Sequence, residues 1–226
     1  MNDRFGISAA LKAFPGTLVN GFMAGIFIGI AGTVFLAVPS PELGAFLFGF
    51  GLLTILSYQF KLYTGVVGYL ANQGVRFPGY LVTLAAVWIG NLAGCFTLGC
   101  LVRASRIVRS AAFLPRVEKM CEAKLADNFT SLLILSFICG ILMYIAAETF
   151  RRKELHGVVR TVTVFLCVAI FILSGCEHSI AGMYYFSAAG MWSRESLLCV
   201  GVMTLGNSLG GMLVPTADKL RPAMTL

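Results

Sequence analysis

Hydrophobic positions fall into six long runs, with the polar residues gathered between them. The runs cover Thr17–Val38, Ala45–Ala71, Tyr80–Val102, Phe129–Phe150, Val158–Ala189 and Ser196–Pro215. A helix needs about 20 mostly apolar residues to cross roughly 30 Å of hydrocarbon, and each run is long enough. Backbone groups in lipid must be satisfied within the segment, so runs of this length predict helices. Barrel strands would be about 10 residues long with alternating polarity, a pattern this chain lacks. The expected fold is all-α: a polytopic membrane protein with six transmembrane helices, forming one domain over residues 1–226. The first run reads as a span and not as a signal peptide, because no small-residue cleavage site follows it and five more spans do.

The second and fifth runs are too long for simple spans, and polar residues interrupt both at mid-depth. In the second, Ser57-Tyr58-Gln59-Phe60-Lys61-Leu62-Tyr63-Thr64-Gly65 puts a Gln, a Lys and a Thr between apolar flanks. In the fifth, Ser174-Gly175-Cys176-Glu177-His178-Ser179 does the same. The third and sixth runs each carry Gly-Asn followed by more glycine, Gly90-Asn91-Leu92-Ala93-Gly94 and Gly206-Asn207-Ser208-Leu209-Gly210-Gly211. Thr64 precedes His178 by 114 residues and Asn91 precedes Asn207 by 116. The two halves, residues 1–110 and 111–226, therefore keep nearly one offset, with His178 at the position matching Thr64. Three spans per half give an inverted 3+3 repeat with helices two and five broken at mid-membrane. Interrupted segments at corresponding positions of two halves point to a transport site.

Composition narrows the classes. The chain is 58% hydrophobic and 12% charged, against 45–50% and roughly a quarter for a soluble domain; mean hydropathy is +0.86. That excludes a soluble enzyme, a disulfide scaffold and a disordered tail. Seven cysteines lie mostly within spans, with no CxxC or Cys/His spacing suited to zinc, and read as small packing residues. No metal or cofactor is expected. An even number of spans puts both termini on one side of the membrane. Nine Lys/Arg fall on that side (Arg4, Lys12, Arg76, Arg151, Arg152, Lys153, Arg160, Lys219 and Arg221) and seven on the other (Arg103, Arg106, Arg109, Arg116, Lys119, Lys124 and Arg194). The count favours cytoplasmic termini in a plasma or inner membrane. The net charge of +7 then reads either as positive-inside charge on the tails and the 151–153 cluster, or as a basic 103–124 connection on the opposite face that concentrates anions. Nucleic acid is not an expected partner, because the basic residues are scattered and lack interleaved aromatics.

Polar residues at mid-depth are the candidate chemistry. Asn91 and Asn207 bind substrate, or they bond exposed backbone at the breaks and pack glycine-lined helix contacts. Lys61 and Glu177 are costly in lipid, so each needs a partner or water; they form a structural ion pair with each other or serve transport. His178 is the only intramembrane histidine and sits in a break, which makes it a pore-facing candidate over a satisfied core residue. Phe48, Leu52 and Phe171 carry no signal of their own from periodicity.

These elements resemble the formate/nitrite transporter family. Gly175-Cys176-Glu177-His178-Ser179-Ile180-Ala181-Gly182-Met183 is similar to its G-x-E-H-S-I-A-N-M signature in the broken fifth helix. Lys61-Leu62-Tyr63-Thr64-Gly65 is similar to its E-L-F-T-G/S loop in the second. The Gly-Asn elements match those of its third and sixth helices. Lys124, sixteen residues before Gly140, falls where the family keeps a vestibule lysine. The resemblance implies a homopentamer of six-helix protomers, each with its own pore for small monovalent anions: formate, nitrite, hydrosulfide, lactate or acetate. It implies that Thr64 and His178 face each other in mid-pore and that Lys124 draws anions into the outer vestibule. Phe48, Leu52, Leu62, Tyr63 and Phe171 would form the apolar constrictions.

Three positions depart from the pattern: Lys61 replaces Glu, Gly182 replaces the signature Asn, and Gly140 stands for an Asn of the fourth span. The charge reversal at Lys61 brings a second cation near the path and favours a soft, compact anion such as hydrosulfide. A bare anion crossing apolar rings loses many kcal/mol of hydration; proton donation or strong hydrogen bonding near His178 would lower that cost, so passage is expected to couple to protons. An aquaporin-like channel for small neutral solutes shares the helix plan, but its paired N-P-A elements are missing. An intramembrane enzyme would need a nucleophile and base or a metal triad, which one adjacent Glu and His do not supply.

Overall fold

The computed structural model describes residues 6–110 and 112–221. Within them the chain is helical, without strands. The helices are α1 (Ile7–Ala37), α2 (Pro41–Ser57), α3 (Tyr63–Val66), α4 (Phe77–Ala104), α5 (Phe113–Ala126), α6 (Phe129–Arg151), α7 (Gly157–Leu173), α8 (Ser179–Ala189) and α9 (Arg194–Leu220). Short 3-10 turns cover Val67–Asn72, Gly74–Arg76 and Arg106–Arg109. Four helical segments are long and apolar enough to cross a membrane: Ile7–Ala37, Gly74–Ala104, Phe129–Arg151 and Arg194–Leu220. The apolar helices α2 and α7 are shorter, at 17 residues each.

Glycine decides which helices meet. A Cβ on Gly21 or Gly25 of α1 would run into the α4 backbone at Val87 and Asn91, and one on Gly90 or Gly94 would run into the α1 backbone at Leu18 and Phe22. The pair α6–α9 repeats this: Gly140 faces the Asn207 backbone, Gly206 faces Leu133 and Ser136, and Gly210 faces Phe137. Small residues let backbones approach where lipid gives no hydrophobic drive for helix association. At Gly140 the space that an Asn side chain would need is filled by the partner helix.

Between α2 and α3, and again between α7 and α8, the chain leaves helical geometry over five residues. The two loops have the same hydrogen bonds. Phe60 N–H donates to Ile55 O and Cys176 N–H to Phe171 O, each at 2.9 Å; Lys61 N–H donates to Asn20 O and Glu177 N–H to Leu135 O, each at 3.3 Å. Gln59 and Gly175 both take the left-handed conformation, at φ 59° and 68°. Every loop position recurs 116 residues later, and α1 recurs in α6 at 115. This register corrects one expectation. The mate of His178 is Leu62 and the mate of Thr64 is Ile180, so His178 does not match Thr64.

The connection before α6 contains α5, which the apolar runs alone do not predict. Phe113, Val117, Cys121 and Lys124 are its buried residues, spaced along one face. Burial pushes the Cys121 thiol up to about 12, in keeping with an inert packing role. All seven cysteines are free.

Candidate functional site

Two asparagines fix the loops. Asn91 on α4 accepts the Tyr63 N–H through Oδ1 at 2.8 Å; its Nδ2 donates to Gly21 O at 2.8 Å and Lys61 O at 2.9 Å. Asn207 on α9 accepts the Ser179 N–H at 2.9 Å and donates to Ser136 O at 2.8 Å and Glu177 O at 2.9 Å. Both side chains are fully buried. Of the two readings open from sequence, this geometry corresponds to the backbone-bonding one: neither amide keeps a free donor for a ligand.

The loops meet at Thr64 and His178. Thr64 Oγ1 lies 2.9 Å from His178 Nε2, with both residues buried. His178 is also the N-cap of α8, its Nδ1 accepting the Ala181 N–H at 3.1 Å. Nδ1 is therefore an acceptor, which puts the proton of a neutral ring on Nε2 and makes Nε2–H the donor to Thr64. The Thr64 hydroxyl hydrogen then remains available to another acceptor.

On the α5 side of this contact lies a cavity of about 100 Å³, lined by Phe35, Lys124, Phe171, Glu177, His178 and Tyr185 among others. It is smaller than the roughly 300–1,000 Å³ of drug-sized ligand sites. Phe171 separates Phe48 from His178, with ring centres 5.9 Å and 5.7 Å away. Leu52 and Leu62 are buried in the same core. Tyr63 turns elsewhere: its hydroxyl is 2.9 Å from Ser208 Oγ, and it lines an apolar groove between α4 and α9 with Trp88 and Leu84.

The charges do not pair as the sequence suggested. Lys124 Nζ stands 2.8 Å from both carboxylate oxygens of Glu177. Their side chains are only 7% and 14% exposed, and the ammonium lies 5.7 Å from the Tyr185 ring centre. Lys61 is not the partner of Glu177; its ammonium points to Thr17 Oγ1 on α1, at 3.4 Å. The reason is the register. Lys61 and Glu177 hold the same loop position 116 residues apart, and their side chains end against different helices, at Thr17 of α1 and Lys124 of α5. Sequence reading missed Tyr185 and Phe35, which carry no polar signal within apolar helices.

A model of the formate/nitrite transporter family matches residues 5–217. The chain belongs to that family. The nitrite transporter NirC of Salmonella typhimurium is 26% identical over 220 residues, covering 88% of this chain and 80% of its own. The formate channel FocB of Escherichia coli is 26% identical over 176 residues, covering 71% and 62%. Among solved structures, a pentameric formate channel with formate bound matches with a TM-score of 0.80 at 21% identity, over 92% of this chain and 97% of that one. An ion channel of the same family matches at 0.73 and 24% identity, over 93% and 89%. These two likenesses extend the family's fold to nearly the whole chain.

Proposed function

We propose that this formate/nitrite transporter family member passes small monovalent anions across a plasma or inner membrane. The protomer crosses six times, as an inverted repeat with helices two and five broken at mid-membrane, and both termini are cytoplasmic. As in the pentameric formate channel it resembles, five copies assemble, each with its own path. The observation that carries this reading is the Thr64–His178 contact, where both loops meet beside Phe171 and a cavity of small-anion size.

The anion enters at the Lys124–Glu177 pair. The carboxylate balances the ammonium, so the mouth attracts a monoanion without trapping it. Phe48, Leu52 and Phe171 then strip its water, with Leu62 forming the second constriction; Tyr63, turned toward Ser208, takes no part in it. At the midpoint the Thr64 O–H, supported by Nε2–H of His178, hydrogen-bonds the anion. A hydrogen bond to a charged group contributes about 1.5–3 kcal/mol, and the N-terminus of α8 adds a positive dipole end. A proton taken up with the anion from water at the mouth converts it to a neutral acid, which crosses apolar rings at far lower cost, while Thr64 and neutral His178 hydrogen-bond it without losing their own protons. Lys61 adds a cation on the terminal side of the loops, favouring a compact anion such as hydrosulfide.

Flux of formate, nitrite, hydrosulfide, acetate and lactate into proteoliposomes, compared at two pH values, tests the proposal. His178→Phe is expected to abolish flux, and Thr64→Val to lower it about 10- to 100-fold from one lost hydrogen bond to charge. Unchanged flux and unchanged pH dependence in His178→Phe would overturn it.

A further inference from the structure

One face of the molecule takes no part in the path described above. Between α4 and α9, both long and apolar enough to cross a membrane, lies an open groove of about 450 Å³. Leu70 and Leu81 stand at one end of it, on the side where α4 begins and α9 ends; Trp88, Ile89 and Ser208 stand at the other. Trp88 Nε1–H donates to Thr204 Oγ1 at 3.1 Å. These two residues are 116 apart and therefore mates, and mates touch only near the axis that relates the halves, about halfway along both helices. The groove thus runs from that axis to the terminal side. From Leu81 to Ile89, eight residues at 1.5 Å each give about 12 Å, against about 15 Å for half of a roughly 30 Å hydrocarbon layer.

The polar atoms of the groove are spent inward. Ser208 Oγ donates to Thr204 O at 2.6 Å, and Thr204 Oγ1 donates to Val200 O at 2.8 Å. The Tyr63 hydroxyl, 2.9 Å from Ser208 Oγ, is left to donate to it. The walls therefore offer hydrocarbon and ring faces, and an occupant held between them must be apolar. The repeat closes the same place on the α5 side. Phe186, the mate of Leu70, is fully buried and packs against Trp192 with ring centres 5.7 Å apart. Leu70 is only half-buried, and the mate of Trp192 is Arg76. A cation marks the open end: Lys219 donates to Ala71 O, next to Leu70, and is exposed. An ammonium carries three donors, so two remain for an anionic group.

We infer that this groove seats one acyl chain of an anionic phospholipid from the terminal-side leaflet, with Lys219 against its phosphate. The length, the apolar lining and the cation at the interface end agree on that occupant. A ridge from a second copy of the chain would fill the groove but leave Lys219 without a counter-charge. The inference needs only that α4 and α9 cross the membrane, and it holds whichever solute the path carries.

Tryptophan fluorescence tests it, because bromine on an acyl chain quenches an indole on contact. The chain has two tryptophans, so Trp192→Phe leaves Trp88 as the sole emitter. The difference between wild type and Trp88→Phe gives the same signal without touching Trp192, whose N–H donates to Ser187 Oγ. Full-length protein is reconstituted in phosphatidylcholine with a rising fraction of brominated phosphatidylglycerol or brominated phosphatidylcholine. Half-maximal quenching of Trp88 is expected at about fivefold less phosphatidylglycerol, the preference one basic side chain gives for an anionic lipid. Lys219→Gln should abolish that preference and Lys219→Arg should keep it. Ala85→Phe, which fills the groove from an exposed position on α4, should remove the saturable quenching. Equal quenching by the two lipids, no response to Lys219→Gln, or no quenching at all, as when a second copy covers the groove, would overturn the proposal.

Discussion

A few side chains hold two stretches of backbone that helix geometry leaves unpaired. Asn91 and Asn207 each bond three backbone groups. Replacing either by Ala strands those groups in a dry interior, at about 1–3 kcal/mol apiece. Thermal unfolding in detergent should register losses of about 3 kcal/mol or more for Asn91→Ala and Asn207→Ala. Asn91→Asp should do no better, because a carboxylate turns its second oxygen toward two carbonyls. Sequence alone located both asparagines and left their role open. It joined Lys61 to Glu177 because both are charged and lie in apolar runs, yet the two side chains end against different helices. It also joined Thr64 to His178 by offset. The contact is real, but it comes from the meeting of two loops and not from equivalence, which the two-residue difference between 114 and 116 already carried.

Among the helices, close approach between backbones does most of the positioning. Gly94 lies against the Phe22 carbonyl and Gly210 against the Phe137 carbonyl, so neither has room for a Cβ, while Gly201 has open space around it. Gly94→Val and Gly210→Val should each destabilise by about 3 kcal/mol or more through overpacking. Gly201→Ala should stay within about 0.5 kcal/mol of wild type. Midpoints of thermal unfolding measured side by side decide the matter, and comparable shifts at all three positions would refute the packing account. Apolar runs made the long helices legible but set the start of α1 ten residues late, because Pro15-Gly16 reads as a break although the helix runs through it. They hid α5 altogether, since its face repeats every fourth residue among charges and never makes a continuous run. The 17-residue α2 and α7 appeared only as parts of longer runs, for hydropathy does not register a five-residue change of backbone direction.

For the whole molecule, the apolar excess of the sequence divides between an exposed surface and a buried core. The proposed path, lined by Phe48, Leu52 and Phe171 with the Lys124–Glu177 pair at one mouth, would discriminate by charge and by size. Liposomes containing the protein should take up formate under a proton gradient and show no osmotic swelling with glycerol or urea. Swelling with either solute would favour a neutral-solute channel. Membrane class and family were legible from composition and from the Glu177-His178-Ser179-Ile180-Ala181 element. The partner of each charge was not, because pairing depends on which way a side chain leaves its loop.

The asparagine clamps also constrain the order in which the protein is made. Each loop leaves the ribosome before the residue that holds it: Tyr63 precedes Asn91 by 28 residues, and Ser179 precedes Asn207 by 28. Until α4 and α9 arrive, the carbonyls of Lys61 and Glu177 have no side-chain donor, and lipid offers none. Each loop's set of bonds is therefore complete only once the chain 28 residues further on has folded against it.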